Sequence, residues 1–292
     1  MNNTQQKKYP DLAQKLNLPE VWIKHEYLNE SGSHKIRLLS YLFEKYIPQG
    51  EKNFVISSSG NAAIAACYYL KKNNNPSINL MVFVPRDMDS KKWKRLQLAG
   101  NNFRQIKIQK SKKAKQKAFK FSQETGAIFL RGSTELQAEQ AYISLGEEIG
   151  QITNLQALFI PTSSGITSLG IFESFQKMNK NVEIHIVQTE KIHPLAQNFD
   201  QEFKVKNKSL AKAIVDKIAK RKTDVIRAVQ ESAGWAWIIS DRELKKAKKI
   251  IEINTNIAKI SYDSLLSVAG LLKAQKNNWK FTGAVCCLFT GE

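Results

Sequence analysis

Three short segments of this chain combine residue types that could hold an anion or bond covalently to a carbonyl. The first is Asn29-Glu30-Ser31-Gly32-Ser33-His34-Lys35-Ile36-Arg37. Lys35 follows a Ser-Gly-Ser turn and leads into a helix-prone stretch over 38–46, which sets it near a helix N-terminus. The positive end of the helix dipole disfavours an ammonium ion there. A Schiff-base lysine must attack as the neutral amine, so the placement suits that chemistry. By spacing alone, Lys35 is still one cation among 45 lysines and arginines.

The second and third segments are Ser57-Ser58-Ser59-Gly60-Asn61 and Ser163-Ser164-Gly165-Ile166-Thr167. Each is a run of small hydroxyl and glycine residues between an apolar stretch and a helical one. Such a loop offers backbone N–H groups and a helix N-terminus, which together hold a phosphate or a carboxylate. Ordinary helix N-caps have the same composition, so each loop taken separately fits either role. Neither is followed by the Lys-Ser/Thr of a Walker loop, and neither is a G-x-G-x-x-G fingerprint.

Apolar runs alternate with helical patterns along the whole chain. Strands are predicted at Asn53–Ile56, Asn79–Pro85, Phe103–Ile108 and Ile128–Leu130, then at Ala157–Ile160, Val182–Val187 and Ala284–Phe289. Helices are predicted after Asn61, over Lys91–Ala99, Lys112–Thr125, from Thr167 to Phe175, and over Glu243–Asn254 and Ser264–Lys276. Near-continuous apolar strands separated by helices imply parallel sheets covered on both faces. The expected fold is therefore α/β, with two three-layer α/β/α domains and mostly parallel sheets. In such sheets ligands gather at the carboxyl ends of the strands, where both loops fall.

Composition narrows the classes further. With 292 residues, 42% hydrophobic and 9% aromatic, the chain has the make-up of a folded globular protein. No apolar run, Leu80–Val84 among them, approaches the ~20 residues of a membrane span, and no apolar stretch follows the polar first ten residues. The expectation is a soluble cytoplasmic protein without membrane contact. Cys67, Cys286 and Cys287 have neither disulfide nor zinc spacing and read as small buried hydrophobes, so no metal site is expected. The net charge of +19 would attract nucleic acid, but lysine dominates over arginine and asparagine is abundant throughout. This looks like a compositional background rather than a readout surface, and nucleic acid is not expected as a partner. In the Lys-rich helix, Ala114, Ala118 and Phe121 fall on one face, which makes the charges a solvated face.

The three segments, in this order, resemble the fold-type II pyridoxal-phosphate enzymes, the family of threonine synthase, threonine/serine dehydratase, cysteine synthase and the tryptophan synthase β chain. The resemblance runs from Trp22 to Gly291. Asn29–Arg37 is similar to the family's N-P-T-G-S-x-K-D-R segment, which implies that Lys35 carries pyridoxal 5′-phosphate as a Schiff base. Ser58-Ser59-Gly60-Asn61 resembles the S-S-G-N loop, implying that these residues hold the substrate carboxylate and that Asn61 also contacts the cofactor. Ser163, Ser164, Gly165, Ile166 and Thr167 fall where the family keeps its phosphate loop, and Thr290-Gly291 resembles the pair whose hydroxyl faces the pyridine nitrogen. The implied domains are a larger one from 1–40 and 146–292, with Lys35, the phosphate loop and Thr290, and a smaller one from 41–145.

The resemblance further implies a small amino-acid substrate, a homodimer, and elimination or replacement at the β or γ carbon with Lys35 as the base at Cα. The stretch Gln137–Ile149 is most similar to threonine synthases, making a threonine-synthase-like lyase the first reading and a dehydratase or cysteine-synthase-like enzyme the second. Against the pattern stand Ile36 for an aspartate, Ser163 and Ile166 for glycines, and Ser261 for an acidic residue. Those departures favour a contrasting reading, a catalytically degenerate scaffold acting as a basic binding module. Thr290, followed only by Gly291 and Glu292, also reads simply as a frayed end.

Overall fold

The computed structural model describes residues 3–58, 60–88 and 90–291. In chain order the elements are β1 (Gln6–Lys8), α1 (Pro10–Leu16), β2 (Glu20–His25), α2 (Lys35–Tyr46), β3 (Asn53–Ser57), α3 (Asn61–Asn73), β4 (Asn79–Pro85), α4 (Ser90–Gly100), β5 (Ile106–Ser111), α5 (Ala114–Thr125) and β6 (Ile128–Phe129). Then follow α6 (Ile143–Ile149), β7 (Leu155–Pro161), α7 (Ile166–Lys177), β8 (Glu183–Thr189), α8 (Lys222–Glu231), β9 (Ala236–Ile239), α9 (Asp241–Asn254), α10 (Tyr262–Lys276) and β10 (Ala284–Phe289). They form two compact units, Asn29–Ala138 and Met1–Leu28 with Glu139–Glu292. Lys35 thus lies in the smaller unit, whereas the sequence reading grouped residues 1–40 with the larger.

The smaller unit is a four-stranded parallel sheet in the order β5-β4-β3-β6. From β3 to β4 and from β4 to β5 the chain steps the same way, so right-handed crossovers put α3 and α4 on one face. The return from β5 to β6 puts α5 on the other, where Ala114 and Ala118 pack against Val55 and Phe83 with Phe121 partly buried beside them. The alanine-rich start of α3, Ala63–Ala66, is fully buried. The third strand begins at Ile106, not Phe103, because Asn102 takes φ +68° and Ile106 N–H closes a turn onto the Phe103 carbonyl.

The larger unit has the sheet order β1-β2-β10-β7-β8-β9, parallel throughout except for β1, which runs antiparallel to β2. The last strand of the chain is therefore central, and all six of its residues are buried. Strands β2 and β9 were absent from the sequence reading. β2 carries Lys24 and His25, both buried, which breaks the apolar signature of an interior strand. Lys24 is compensated by a 2.5 Å pair with Glu148 and a bond to the Thr4 carbonyl at 2.7 Å. Lys273 on α10 is buried likewise, donating to Asp200 (2.5 Å) and to the Glu202 and Ile238 carbonyls (3.1 and 2.9 Å). This knot ties the irregular stretch after β8 to the edge of the sheet. Cys67, Cys286 and Cys287 are free and buried; burial pushes the Cys67 and Cys286 thiols up to about 12, so neither is a nucleophile at neutral pH. Among the described residues no helix is long and apolar enough to cross a membrane.

Candidate active site

The turn before Lys35 is built around one side chain. Asn29 Oδ1 accepts the N–H and hydroxyl of Ser31 (both 3.0 Å) and the N–H of Ser33 (3.2 Å), while its amide donates to the Ser33 carbonyl. Gly32 sits inside this knot with φ +74°, a left-handed conformation that favours glycine. The knot ends at His34, and Lys35 is the first residue of α2, half-buried. Ile36, where the family pattern has an aspartate, packs into the core as an ordinary apolar residue, and Arg37 is buried beside it.

The Ser57–Asn61 loop leaves the carboxyl end of β3. Ser58 N–H donates to the Phe83 carbonyl (3.3 Å), Ser58 Oγ accepts Gly60 N–H (3.3 Å), and α3 starts at Asn61 from a glycine cap with no capping side chain. Ser59 lies outside the described residues. In the same unit Phe43 of α2 stacks on Tyr69 of α3 (4.6 Å between centroids) and meets Phe54, the second residue of β3, edge-on at 4.9 Å. The carboxyl halves of both helices are thus gathered at the start of β3. Their first residues, Lys35 and Asn61, accordingly lie toward the strand's carboxyl end, and both belong to the smaller unit.

In the larger unit, β7 ends at Pro161 and α7 begins at Ile166, so Ser163–Thr167 spans the expected strand-to-helix loop. Gly165 takes φ +90°, and a Cβ there would come within 2.3 Å of Val225 Cγ2. The left-handed residue is therefore the retained glycine, which leaves Ile166 free to carry its side chain into the core as the first helical residue. Gly170 is needed one turn on: a Cβ there would lie 2.1 Å from the Glu139 carbonyl oxygen. Residues 139–142 are thereby packed directly against α7.

This loop fits a phosphate group. The N–H groups of the first turn of α7 have no intrahelical partner, and the cap residue supplies no side-chain bond. Among the described residues, the hydroxyls of Ser164 and Thr167 have no protein hydrogen bond, which leaves two donors for an anion at a positive helix end. Ser163 differs. Its hydroxyl donates to Asp216 Oδ2 at 2.9 Å and accepts the N–H groups of Val215 and Asp216, each at 3.1 Å. Sequence reasoning missed Asp216, which stands in an irregular stretch 53 positions away with no local pattern to mark it.

Thr290 follows the last residue of β10 and is 6% exposed. Ser261, the cap of α10, donates to the Gly291 carbonyl at 2.5 Å and accepts Ser264 N–H at 3.2 Å. Ser264 Oγ donates to the same carbonyl (2.7 Å) and accepts Gly291 N–H (3.2 Å). Ser261, in place of the family's acidic residue, fastens the strand end, and Thr290 is not frayed. Beside it in the sheet, His25 pairs in register with Phe289 and shares a 3.0 Å hydrogen bond with the Tyr9 hydroxyl. Burial, aided by Lys7 and Lys24, lowers the His25 imidazole to about 4, so it is neutral at pH 7.

A family model described as pyridoxal-phosphate dependent enzyme matches residues 1–291. No curated protein matches the sequence. Solved structures similar to the fold include a serine racemase from maize (TM-score 0.83, 17% identity, 99% of this chain and 88% of that one). Another is a fungal L-serine ammonia-lyase from Rhizomucor miehei (0.81, 15%, 99% and 93%). A third is the processed form of threonine deaminase isoform 2 from Solanum lycopersicum (0.82, 15%, 99% and 79%). At such identities these likenesses establish the two-sheet α/β fold expected from the sequence.

Proposed function

The chain belongs to the pyridoxal-phosphate dependent enzyme family, its cofactor is pyridoxal 5′-phosphate, and on that premise we propose that it is a lyase eliminating or replacing a side-chain substituent of an amino acid. The observation that carries this reading is the buried threonine, not a carboxylate, at the fixed end of the central strand. When bound, the cofactor supplies an electron sink for the pair left at the substrate Cα. A neutral hydroxyl at its ring nitrogen leaves that nitrogen unprotonated, which disfavours a long-lived carbanion and suits prompt departure of a β or γ substituent over transamination.

The roles of the chain's own residues follow from their chemistry. Lys35 would hold the cofactor, and its Nζ would be the base that takes the proton from the substrate Cα. Ser58, Ser59, Gly60 and Asn61 hold the substrate carboxylate at the start of α3, and Asn61 also orients the cofactor. The α7 terminus, through the N–H groups of Gly165, Ile166 and Thr167 with the Ser164 and Thr167 hydroxyls, holds the phosphate, and Thr290 meets the ring nitrogen. Ser163 contributes its backbone, its hydroxyl being engaged by Asp216.

Elimination from a hydroxy amino acid, the reaction class of the ammonia-lyase and deaminase with similar folds, is the first activity to test. The threonine-synthase-like reading rested on Gln137–Ile149. Glu139 and Tyr142 in that stretch back onto Gly170 of α7, so packing accounts for the pattern without selecting a substrate. The test is to incubate cofactor-loaded protein with L-serine, L-threonine and a panel of β- and γ-substituted amino acids. Keto acid and ammonia from the hydroxy amino acids support elimination; loss of a γ substituent with hydroxylation supports the threonine-synthase-like reading. No turnover of any of them by protein with cofactor bound would sink the lyase reading.

A further inference from the structure

The charge of this chain is unevenly placed. Between Ser90 and Gln123 stand twelve of its 45 lysines and arginines and none of its 26 acidic residues. These 34 positions therefore carry +12 of the net +19. They fold as three consecutive elements, α4, β5 and α5, around one edge of the smaller sheet, where β5 is the outermost strand. With α4 on one face and α5 on the other, the cations wrap the edge. Lys107 and Lys110 on β5 are exposed, as are Lys113, Lys115, Lys117 and Lys120 along the return. Lysines on an edge strand also guard against unwanted pairing, but that explains only the two on β5.

Two aromatic side chains lie in the same rim. Trp93 of α4 is half-buried beneath Lys110, whose Nζ sits 4.0 Å from its ring centroid. Phe119 of α5 is 57% exposed, one helical turn from Lys115. The one acidic residue of the three elements is Glu124 at the far end of α5, which pairs with Lys120 at 3.4 Å; a rim otherwise wholly cationic, with an open aromatic face, is the arrangement that binds phosphates and stacks bases without reading sequence. Its cations are almost all lysines, which act as point charges on a phosphate backbone rather than as forks on base edges. A surface curving around a sheet edge is followed by a flexible chain and not by a flat bilayer. We propose that the α4–β5–α5 rim binds single-stranded nucleic acid, independently of base sequence and of the amino-acid chemistry.

The test is fluorescence anisotropy of a labelled 20-nucleotide oligouridine titrated with cofactor-loaded protein from 50 to 200 mM NaCl. Binding is expected with a Kd of about 1–100 μM at 100 mM salt, and with log K falling on log salt at a slope of about −3, as for about four phosphates on a single strand. Reversing Lys107, Lys110, Lys113 and Lys117 to Glu should weaken binding at least about tenfold and flatten the slope. Phe119→Ala should weaken it about tenfold with the slope unchanged. The control carries the same change of net charge on α9 of the larger unit, Lys245, Lys246, Lys248 and Lys249 to Glu, and should stay within threefold of wild type. Equal losses in both quadruple variants would reduce the effect to net charge and overturn the proposal. So would absence of binding at 100 mM salt, or equal competition by poly-glutamate with no effect of Phe119→Ala. Capture of phosphatidylserine vesicles without capture of the oligonucleotide would overturn it in favour of a lipid surface.

Discussion

Ser163 Oγ donates to the Asp216 carboxylate and accepts the backbone N–H groups of Val215 and Asp216, so every hydrogen-bonding position of that hydroxyl is filled. A serine replacing a glycine in a phosphate loop has thereby become a post to which the stretch after β8 is tied. The tie brings a carboxylate next to the residues proposed to hold the phosphate. Asp216→Asn keeps a hydrogen-bonding partner and removes the charge; cofactor affinity should rise about threefold to tenfold, most at low salt. A titration of cofactor-free protein followed by absorbance reads the change, and lower affinity in the variant would show the tie to matter more than the repulsion.

Lys35 should carry the cofactor covalently. Borohydride reduction and peptide mapping are expected to place the pyridoxyl group on the peptide containing Lys35, and Lys35→Ala should yield no adduct. A label on another lysine would displace the assignment.

Thr167→Val deletes one hydroxyl proposed to hold the phosphate while keeping the shape of the side chain. Losing a hydrogen bond to a charged group costs about 1.5–3 kcal/mol, so the Kd for pyridoxal phosphate should rise about tenfold to a hundredfold. An unchanged Kd would move the phosphate elsewhere.

The proposed contact of Thr290 with the ring nitrogen is tested by two substitutions. Thr290→Asp should protonate the ring nitrogen and raise the yield of pyridoxamine phosphate relative to elimination products, whereas Thr290→Ala should loosen cofactor binding without opening that route. The same partition in wild type and both variants would show that Thr290 does not touch the ring.

His25 predicts an acid-labile core. Its folded value of about 4 lies below the ordinary imidazole value near 6.5. Above pH 6.5 both states are neutral and the group contributes nothing. As pH falls through 6.5 the unfolded chain takes up a proton that the folded chain refuses until about pH 4. Stability should therefore decline across that window by about 3 kcal/mol and then level off. Urea midpoints at pH 7, 5.5 and 4.5 should fall less steeply in His25→Gln.

The two loops were legible as strand-to-helix turns because small hydroxyl and glycine residues stand between an apolar run and a helix, a composition that serves an ordinary N-cap as well as an anion site. Lys35 was singled out only through the order of three segments, since nothing local separates it from other lysines, and its role stands as a proposal. Asp216 was invisible: its contact with Ser163 is made by an irregular stretch whose path depends on the buried Lys273–Asp200 knot. The strand β2 was hidden for a related reason, because Lys24 and His25 sit where an apolar pattern was sought, each compensated by a partner distant in sequence. The cationic rim lay in plain view as composition, but only the position of β5 at the sheet edge turned a count into a surface.

The place of β10 governs how the polypeptide can be made. Val21 and Val285 face each other in register, so the inner edge of β2 must wait for nearly the whole chain before β10 covers it, although β1 can pair with its other edge at once. During synthesis Asn29–Ala138 can close its own sheet first, while the β1–β2 pair still lacks its central partner. Pairings this far apart in sequence form late and slowly. Until then β2 and β7, which flank the gap that β10 fills, each keep one edge open, and a chain cut short before Ala284 would have the pieces β1–β2 and β7–β8–β9 with no strand to join them.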